Sequence, residues 1–412
     1  MSSDSTDWDA LEALVTEAHF LGAYDLPVHV AQHATYLGFA DAHIYLADLQ
    51  QQQLVPLPPA SGPATFEHSS TLPIDSTLAG RAFQHVTTLV GTSDRHDGDR
   101  VQAWVPLLNG TERLGVLSVS VDADAPLTRG TPAGDRLRLL ASLVAELIMT
   151  KTMYGDTIVR LRRLAPMGLA AEIQWSLLPP LTFSNHDVTI AAALEPAYNV
   201  AGDSVDYAVD AGIARFAVFD GMGHALPSAQ LVSVVVAAYR NARRTGHSLA
   251  ATVRHIDHAV TEVFPDAFTT GVLAELDTTV GMLSWVSAGH PPPLLLRDGQ
   301  HVKTLEVEPA LPFGLGLPGG ELHVGTEQLQ PGDHVLAYTD GVIEARSPDG
   351  EPFGEERLTD LIRRHLAAGL PAPETTRRTV AALLRHQGSD LADDATLVLA
   401  QWRPPNLSGL RP

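Results

Sequence analysis

A set of aspartates in this chain stands where apolar, β-prone runs begin or end. Asp220-Gly221 closes the run Arg215–Phe219, and Asp340-Gly341 closes Val335–Thr339. Asp393-Asp394 stands directly before Ala395–Ala400, and Asp203 follows Gly202 and precedes a strand beginning near Val205. Strand ends within one sandwich meet on a common rim, so these carboxylates are expected to cluster there. Clustered carboxylates repel one another and persist when a cation neutralises them. Hard oxygen donors without histidine or cysteine favour magnesium or manganese. Asp-Gly is also an ordinary turn, and Asp298-Gly299 and Asp349-Gly350 are read as turns only.

Composition narrows the chemistry further. The chain contains no cysteine, which removes disulfides, thiolate metal sites and every cysteine nucleophile. Its 412 residues suggest two or three domains, and 45% hydrophobic content lets each bury a core. A net charge of -21 argues against nucleic acid and anionic membrane surfaces as partners. Met1–Glu17 is acidic and lacks a basic stretch leading into an apolar run, so no signal peptide is expected. The longest apolar stretch, Leu231–Ala238, is far short of the ~20 residues that span a bilayer. A soluble, cytoplasmic protein is the expectation.

The elements that must carry these residues fall into regions. Residues 8–133 mix a helix at Asp9–Leu21 with short strands and a long pair, Val101–Leu108 and Arg113–Val121, joined by the turn signal Asn109-Gly110. An α+β domain on an antiparallel sheet is predicted there. Residues 134–182 read as a helical linker. Leu140, Leu147, Tyr154 and Leu161 are spaced by seven, with Leu143, Thr150, Thr157 and Leu164 as the companion series. This predicts one long helix and a homodimeric coiled coil through residues 140–164, the alternative being a helix packed on its own domain. Pro166 and Gly168 end it, and a short helix, Leu169–Leu178, follows with the apolar set Ile173, Trp175, Leu177 and Leu178. Residues 183–402 alternate strands with helices at 227–245, 249–263, 355–368 and 373–386, which predicts a two-sheet sandwich flanked by helices; 403–412 read as a tail.

Several motifs, in order, resemble the SpoIIE/RsbU-like phosphatases, a bacterial branch of the metal-dependent PPM family. They are Gln174–Pro180 (QWSLLPP), Val200–Asp203 (VAGD), Phe219–His224 (FDGMGH), Ser287–Pro293 (SAGHPPP), Pro331–Asp333, Tyr338–Ala345 (YTDGVIEA), Phe353-Gly354 and Asp393–Thr396 (DDAT). The resemblance covers about residues 170–400 and implies a PPM-type αββα sandwich with protein serine/threonine phosphatase activity. It implies two Mn2+ or Mg2+ ions, bridged by Asp220 and also held by the Gly221 carbonyl, Asp203, Asp340 and Asp393, with Asp394 beside them. Two such ions roughly 3.5–4 Å apart acidify a shared water and clamp phosphoryl oxygens, so no nucleophilic side chain is needed. His224 and His290 are candidate donors of a proton to the leaving oxygen, or else structural residues of their turns. The chain departs from the family pattern at Ala201 and Ala225, where glycine is common, and alanine is less at ease at positive φ.

Residues 8–133 resemble a GAF domain on Leu72–Phe83, Val101–Leu107 and Leu114–Val119. The resemblance implies a sensor without naming its ligand; absent cysteine excludes a thioether-linked bilin, and His33, His43 and His85 are weighed as haem contacts against plain surface or core roles. The expected substrate is a phosphorylated STAS-type anti-sigma-factor antagonist, dephosphorylated in a partner-switching pathway under control of the front domain. A non-enzymatic scaffold that binds such a protein is the alternative; retention of the aspartates favours the enzyme.

Overall fold

The computed structural model describes residues 3–59, 71–92, 100–195, 198, 202–298, 300–316, 322–388 and 393–403. The chain divides into two compact units, Met1–Ala165 and Pro166–Pro412. The boundary falls inside the segment expected to be a separate linker.

In the first unit, α1 (Ser3–Ala18) and α2 (Leu26–Tyr36) precede strands β1 (Ala40–Ala47), β2 (Gln53–Pro56) and β3 (Leu72–Pro73). Then come α3 (Leu78–His85), β4 (Leu89–Thr92), β5 (Arg100–Asn109), β6 (Glu112–Asp122), α4 (Pro132–Thr152) and α5 (Thr157–Leu161). The strands form one antiparallel sheet in the order β3-β2-β1-β6-β5-β4. The β5–β6 turn is the predicted Asn109-Gly110, with Gly110 at φ +57°. Alternation along β5 sends Ala103, Val105 and Leu107 into a core with α1, α2 and α4. Trp104 goes to the opposite face, against Phe83 of α3.

The predicted long helix over 134–165 is corrected. α4 stops at Thr152, and Tyr154 lies in the following turn, 82% exposed. Leu140 and Leu147, the start of the expected seam, are buried in this unit's own core beside Leu137, Val144 and Ile148. Of the expected homodimer seam through 140–164, Leu140 and Leu147 are therefore used within this unit, whereas Tyr154 is not. A helix packed on a sheet and a coiled-coil helix bury nearly the same spacing over three turns.

The second unit opens with α6 (Leu169–Leu177), β7 (Thr182–Ser184), β8 (Val188–Glu195), β9 (Asp203–Asp210) and β10 (Ile213–Gly221). It continues through α7 (Ala225–Arg244), α8 (Leu249–Val263), β11 (Thr269–Asp277), β12 (Met282–Ala288), β13 (Leu294–Arg297), β14 (Gln300–Thr304) and β15 (Gly325–Gln328). β16 (His334–Tyr338), α9 (Asp340–Glu344), α10 (Glu355–Ala367), α11 (Ala372–Gln387) and β17 (Ala395–Trp402) complete it. Two antiparallel sheets result, β15-β12-β11-β10-β9 and β14-β13-β16-β17-β8-β7. Phe216 and Val218 of β10 meet Val398 and Ala400 of β17 in the core between the sheets. Ala217 and Phe219 face α7 and α8, while Leu397 and Leu399 face α10 and α11. This is the helix–sheet–sheet–helix sandwich expected from the order of elements. Residues 404–412, most of the expected tail, lie outside the described residues, as does Ala201.

Candidate active site

The register of β9 and β10 brings the first aspartates together. The strands are antiparallel, so the start of one lies beside the end of the other, and Asp203 stands directly opposite Asp220. The same logic operates in the other sheet. β16 and β17 are antiparallel, with Tyr338 opposite Leu397, so Asp340, just past the end of β16, and Asp393-Asp394, just before β17, share one end of that pair.

Hydrogen bonds join the two rims. The Thr339 hydroxyl donates to Asp203 Oδ2 at 2.6 Å and accepts from the Thr396 amide at 3.0 Å. The Gly202 and Asp203 amides donate to Asp394 Oδ2 at 2.7 and 3.2 Å. Asp394 is therefore buried and committed to backbone donors, whereas Asp393 is exposed. The Gly221 carbonyl accepts from Ser228 Oγ at 2.9 Å, and the Gly221 amide donates to the Gly202 carbonyl at 3.0 Å. Thr339, Thr270 and Ser228 were not singled out from sequence. Thr339 sits inside the YTDG motif, which is the one signal that could have marked it.

Close backbone approach explains two of the glycines. A Cβ at Gly202 would lie 2.3 Å from the Gly221 carbonyl oxygen, and one at Gly341 would lie 1.9 Å from the Asp394 carbonyl oxygen. Gly341→Ala is thus expected to force β16 and β17 apart at the site. The expected loss is about 3 kcal/mol of stability, seen as a lower Tm, with hydrolysis falling as well. An unchanged Tm would contradict the close packing.

The carboxylates are held toward their neutral forms. Burial pushes Asp220 up to about 7, and repulsion from Asp340, Asp393 and Asp394 adds to it, against a hydrogen bond from Thr270. Burial likewise holds Asp203 well above the usual carboxylate range, with Asp394 and Asp220 contributing and Thr339 and Thr396 opposing. Asp340 is raised by burial and then by Glu344 and Asp393. No basic side chain figures among these influences, so a bound cation would favour the ionised forms. This donor set fits magnesium or manganese. Among the described residues, no three of these carboxylates offer oxygens that all lie within 4.8 Å of one another.

The sign of the pH effect follows. Below about pH 4 both folded and unfolded states protonate Asp220. Between there and about 7 the folded state keeps a proton that the unfolded chain has lost, so its contribution to stability falls as pH rises and the penalty is complete above the window. Metal-free Asp220→Asn, which cannot ionise, is expected to melt above the parent at about pH 8, with the difference vanishing near about pH 4. Calorimetry in chelator checks this; a pH-independent difference would contradict it.

The histidines are sorted by burial. His290 Nδ1 lies 3.0 Å from Thr270 Oγ1, and burial lowers its pKa to about 4. It is neutral at physiological pH and orients Thr270, which in turn bonds Asp220; it does not hold the proton a leaving oxygen would need. His224 is exposed as the residue before α7. Ala225 adopts φ +60°, so the alanine is accommodated in the left-handed region that glycine usually takes.

Comparison with known proteins was made against this geometry. The family model for Stage II sporulation protein E (SpoIIE) matches residues 210–403. Protein IcfG of Synechocystis sp. is 29% identical over 166 residues, which are 40% of this chain and 24% of that protein. Phosphoserine phosphatase RsbU of Bacillus subtilis is 26% identical over 234 residues, 56% of this chain and 68% of that protein. The chain thus spans about a quarter of one relative and about two thirds of the other. Among solved structures, the SiaA-PP2C domain of Pseudomonas aeruginosa aligns with TM-score 0.49 and 25% identity, covering 56% of this chain and 94% of that one.

Proposed function

We propose that this chain, whose second unit is a PPM-type serine/threonine phosphatase domain related to the SpoIIE/RsbU family, removes phosphate from a phosphorylated protein under control of its first unit. The observation that carries the reading is the pairing of Asp203 with Asp220 at one rim, tied across to Thr339 and Asp394 of the other sheet. Asp203, Asp220, Asp340, Asp393 and the Gly221 carbonyl would hold two Mn2+ or Mg2+ ions. Bound there, such ions supply an acidified water and neutralise the phosphoryl oxygens. The protein's own part is positional. Thr339 fixes Asp203, the His290–Thr270 pair fixes Asp220, and Asp394 clamps the Gly202–Asp203 backbone through its amides.

The substrate class proposed is a phosphoserine- or phosphothreonine-bearing STAS-type antagonist, acting in a cytoplasmic partner-switching pathway. The family-model match over 210–403 and the likeness to RsbU support it. The first unit would act as a GAF-like sensor; it holds a cavity of about 610 Å³ lined in part by Val86, Val105, Leu127, Arg129, Arg138 and Ser142, a volume suited to a small ligand. The test is a comparison of kcat/KM on a phosphorylated STAS-type protein and on a short phosphopeptide from it, with manganese present. A preference of about 100-fold or more for the folded protein is expected, since a docked substrate contributes binding energy remote from the phosphate. Binding of the STAS protein without any release of phosphate would replace this reading with that of a scaffold.

A further inference from the structure

The first unit carries a second cluster of metal-binding groups that the phosphatase chemistry does not use. Glu17 lies in the last turn of α1, and His29 and His33 lie four residues apart on α2, hence on one face of that helix. Leu14 and Ala18 of α1 pack with Val30 and Ala34 of α2, which brings the three side chains together. One donor atom from each lies within 4.8 Å of the others.

The details are those of a ligand set. His29 Nε2 lies 2.9 Å from the Leu14 carbonyl oxygen, which only accepts, so Nε2 donates and Nδ1 is the nitrogen left to face a ligand. That Nδ1 is 3.8 Å from Glu17 Oε2. A backbone carbonyl holding the far nitrogen is the arrangement that orients metal-binding imidazoles. His33 Nε2 is 3.4 Å from the same Glu17 oxygen. His33 is 3% exposed, yet neither of its ring nitrogens makes a hydrogen bond among the described residues. The two rings meet edge-on, with centroids 4.5 Å apart. Donors around tetrahedral zinc, each ~2.0–2.1 Å from the ion, stand ~3.4 Å apart, so small rotations close this trio on one ion. An ion pair alone leaves the buried His33 nitrogens unsatisfied, which costs free energy at each.

We propose that Glu17, His29 and His33 bind a divalent transition-metal ion of the zinc class, on the first unit and separate from the carboxylate site. Two imidazoles and a carboxylate select a borderline metal over magnesium. Glu17 is 62% exposed, which leaves the fourth position to water. Binding would fasten the end of α1 to α2. The adjacent Ala18 carbonyl accepts from the buried Lys151 Nζ of α4 at 2.6 Å, so the fastened end of α1 is itself bonded to α4.

The test uses the full chain, stripped with chelator and titrated with Zn2+ against a chromophoric indicator, with excess Mg2+ present for the carboxylate site. Asp220→Asn is expected to take up one equivalent, and zinc X-ray absorption should show imidazole scattering. Adding Glu17→Gln or His33→Gln should weaken that uptake by about 10-fold or more. Glu17→Gln, at an exposed position, keeps the test decisive should His33→Gln fail to fold. Bound zinc without imidazole scattering, or equal affinity in all variants, overturns the proposal.

Discussion

Asp220→Ala and Asp340→Ala are each expected to lower phosphate release by about 10³-fold or more while leaving the circular dichroism spectrum intact. The magnitude reflects loss of about 4 kcal/mol of transition-state stabilisation when an ion is left without its carboxylate. The fold is expected to survive because Asp220 and Asp340 take no part in the hydrogen bonds that join the two rims; those run through Thr339, Asp203 and Asp394. Removing Asp220 also removes a half-buried carboxylate repelled by its neighbours, so the metal-free variant should be no less stable than its parent. Turnover with manganese within threefold of the parent in either variant would remove the two-ion assignment.

The second large effect is expected at Arg240 of α7. Its guanidinium bonds Asp206 Oδ1 at 2.8 Å and also reaches the Leu177 carbonyl at the end of α6. Asp206 is 1% exposed and is shared with Arg243. It lies three residues beyond Asp203 on β9, so one side chain connects α6 to the strand that carries Asp203. α6 packs through a small buried face. That face is Ala170, Ala171 and Gln174, and among the described residues both side-chain amide atoms of Gln174 lack hydrogen bonds. Ile173, Trp175, Leu177 and Leu178, expected to be buried, are only half-covered. A helix packed in this way can exchange between two positions, and a bias of about 1.4 kcal/mol changes the populations tenfold. Arg240→Ala is expected to weaken activation by manganese about tenfold in the intact chain, and to lower stability by about 3 kcal/mol through the partly unpaired Asp206. The activating manganese concentration and the Tm check this. An unchanged manganese dependence would show α6 to be a passive connector.

The strands beside Asp220, Asp340 and Asp393 were readable because their apolar runs are short and begin or end next to an acid. The join between the rims was not readable. Thr339 and Asp203 are 136 positions apart, and no local pattern encodes which hydroxyl reaches which carboxylate across two sheets. The adjacent acids Asp393 and Asp394 illustrate the same limit. Their spacing is silent on which is buried, and only the packing of Gly202 against the sheet below commits Asp394 to amides. α4 shows a different failure, since a repeat of seven fits both a dimer seam and a helix on its own sheet. His33 was weighed with His43 and His85 as a haem contact, whereas its i–4 neighbour His29 was the informative companion. Glu17 could be recognised only once α1 and α2 were packed.

The central claim is metal-dependent hydrolysis of phosphoserine or phosphothreonine on protein, and its most direct measurement is mass spectrometry of a phosphorylated STAS-type protein incubated with the full chain. With manganese, the account predicts loss of the phosphoryl mass from serine or threonine together with release of inorganic phosphate, both abolished by chelator and restored by added metal. Phosphate loss that continues unchanged in chelator, or no loss at any manganese concentration from a chain shown to be folded, would contradict it.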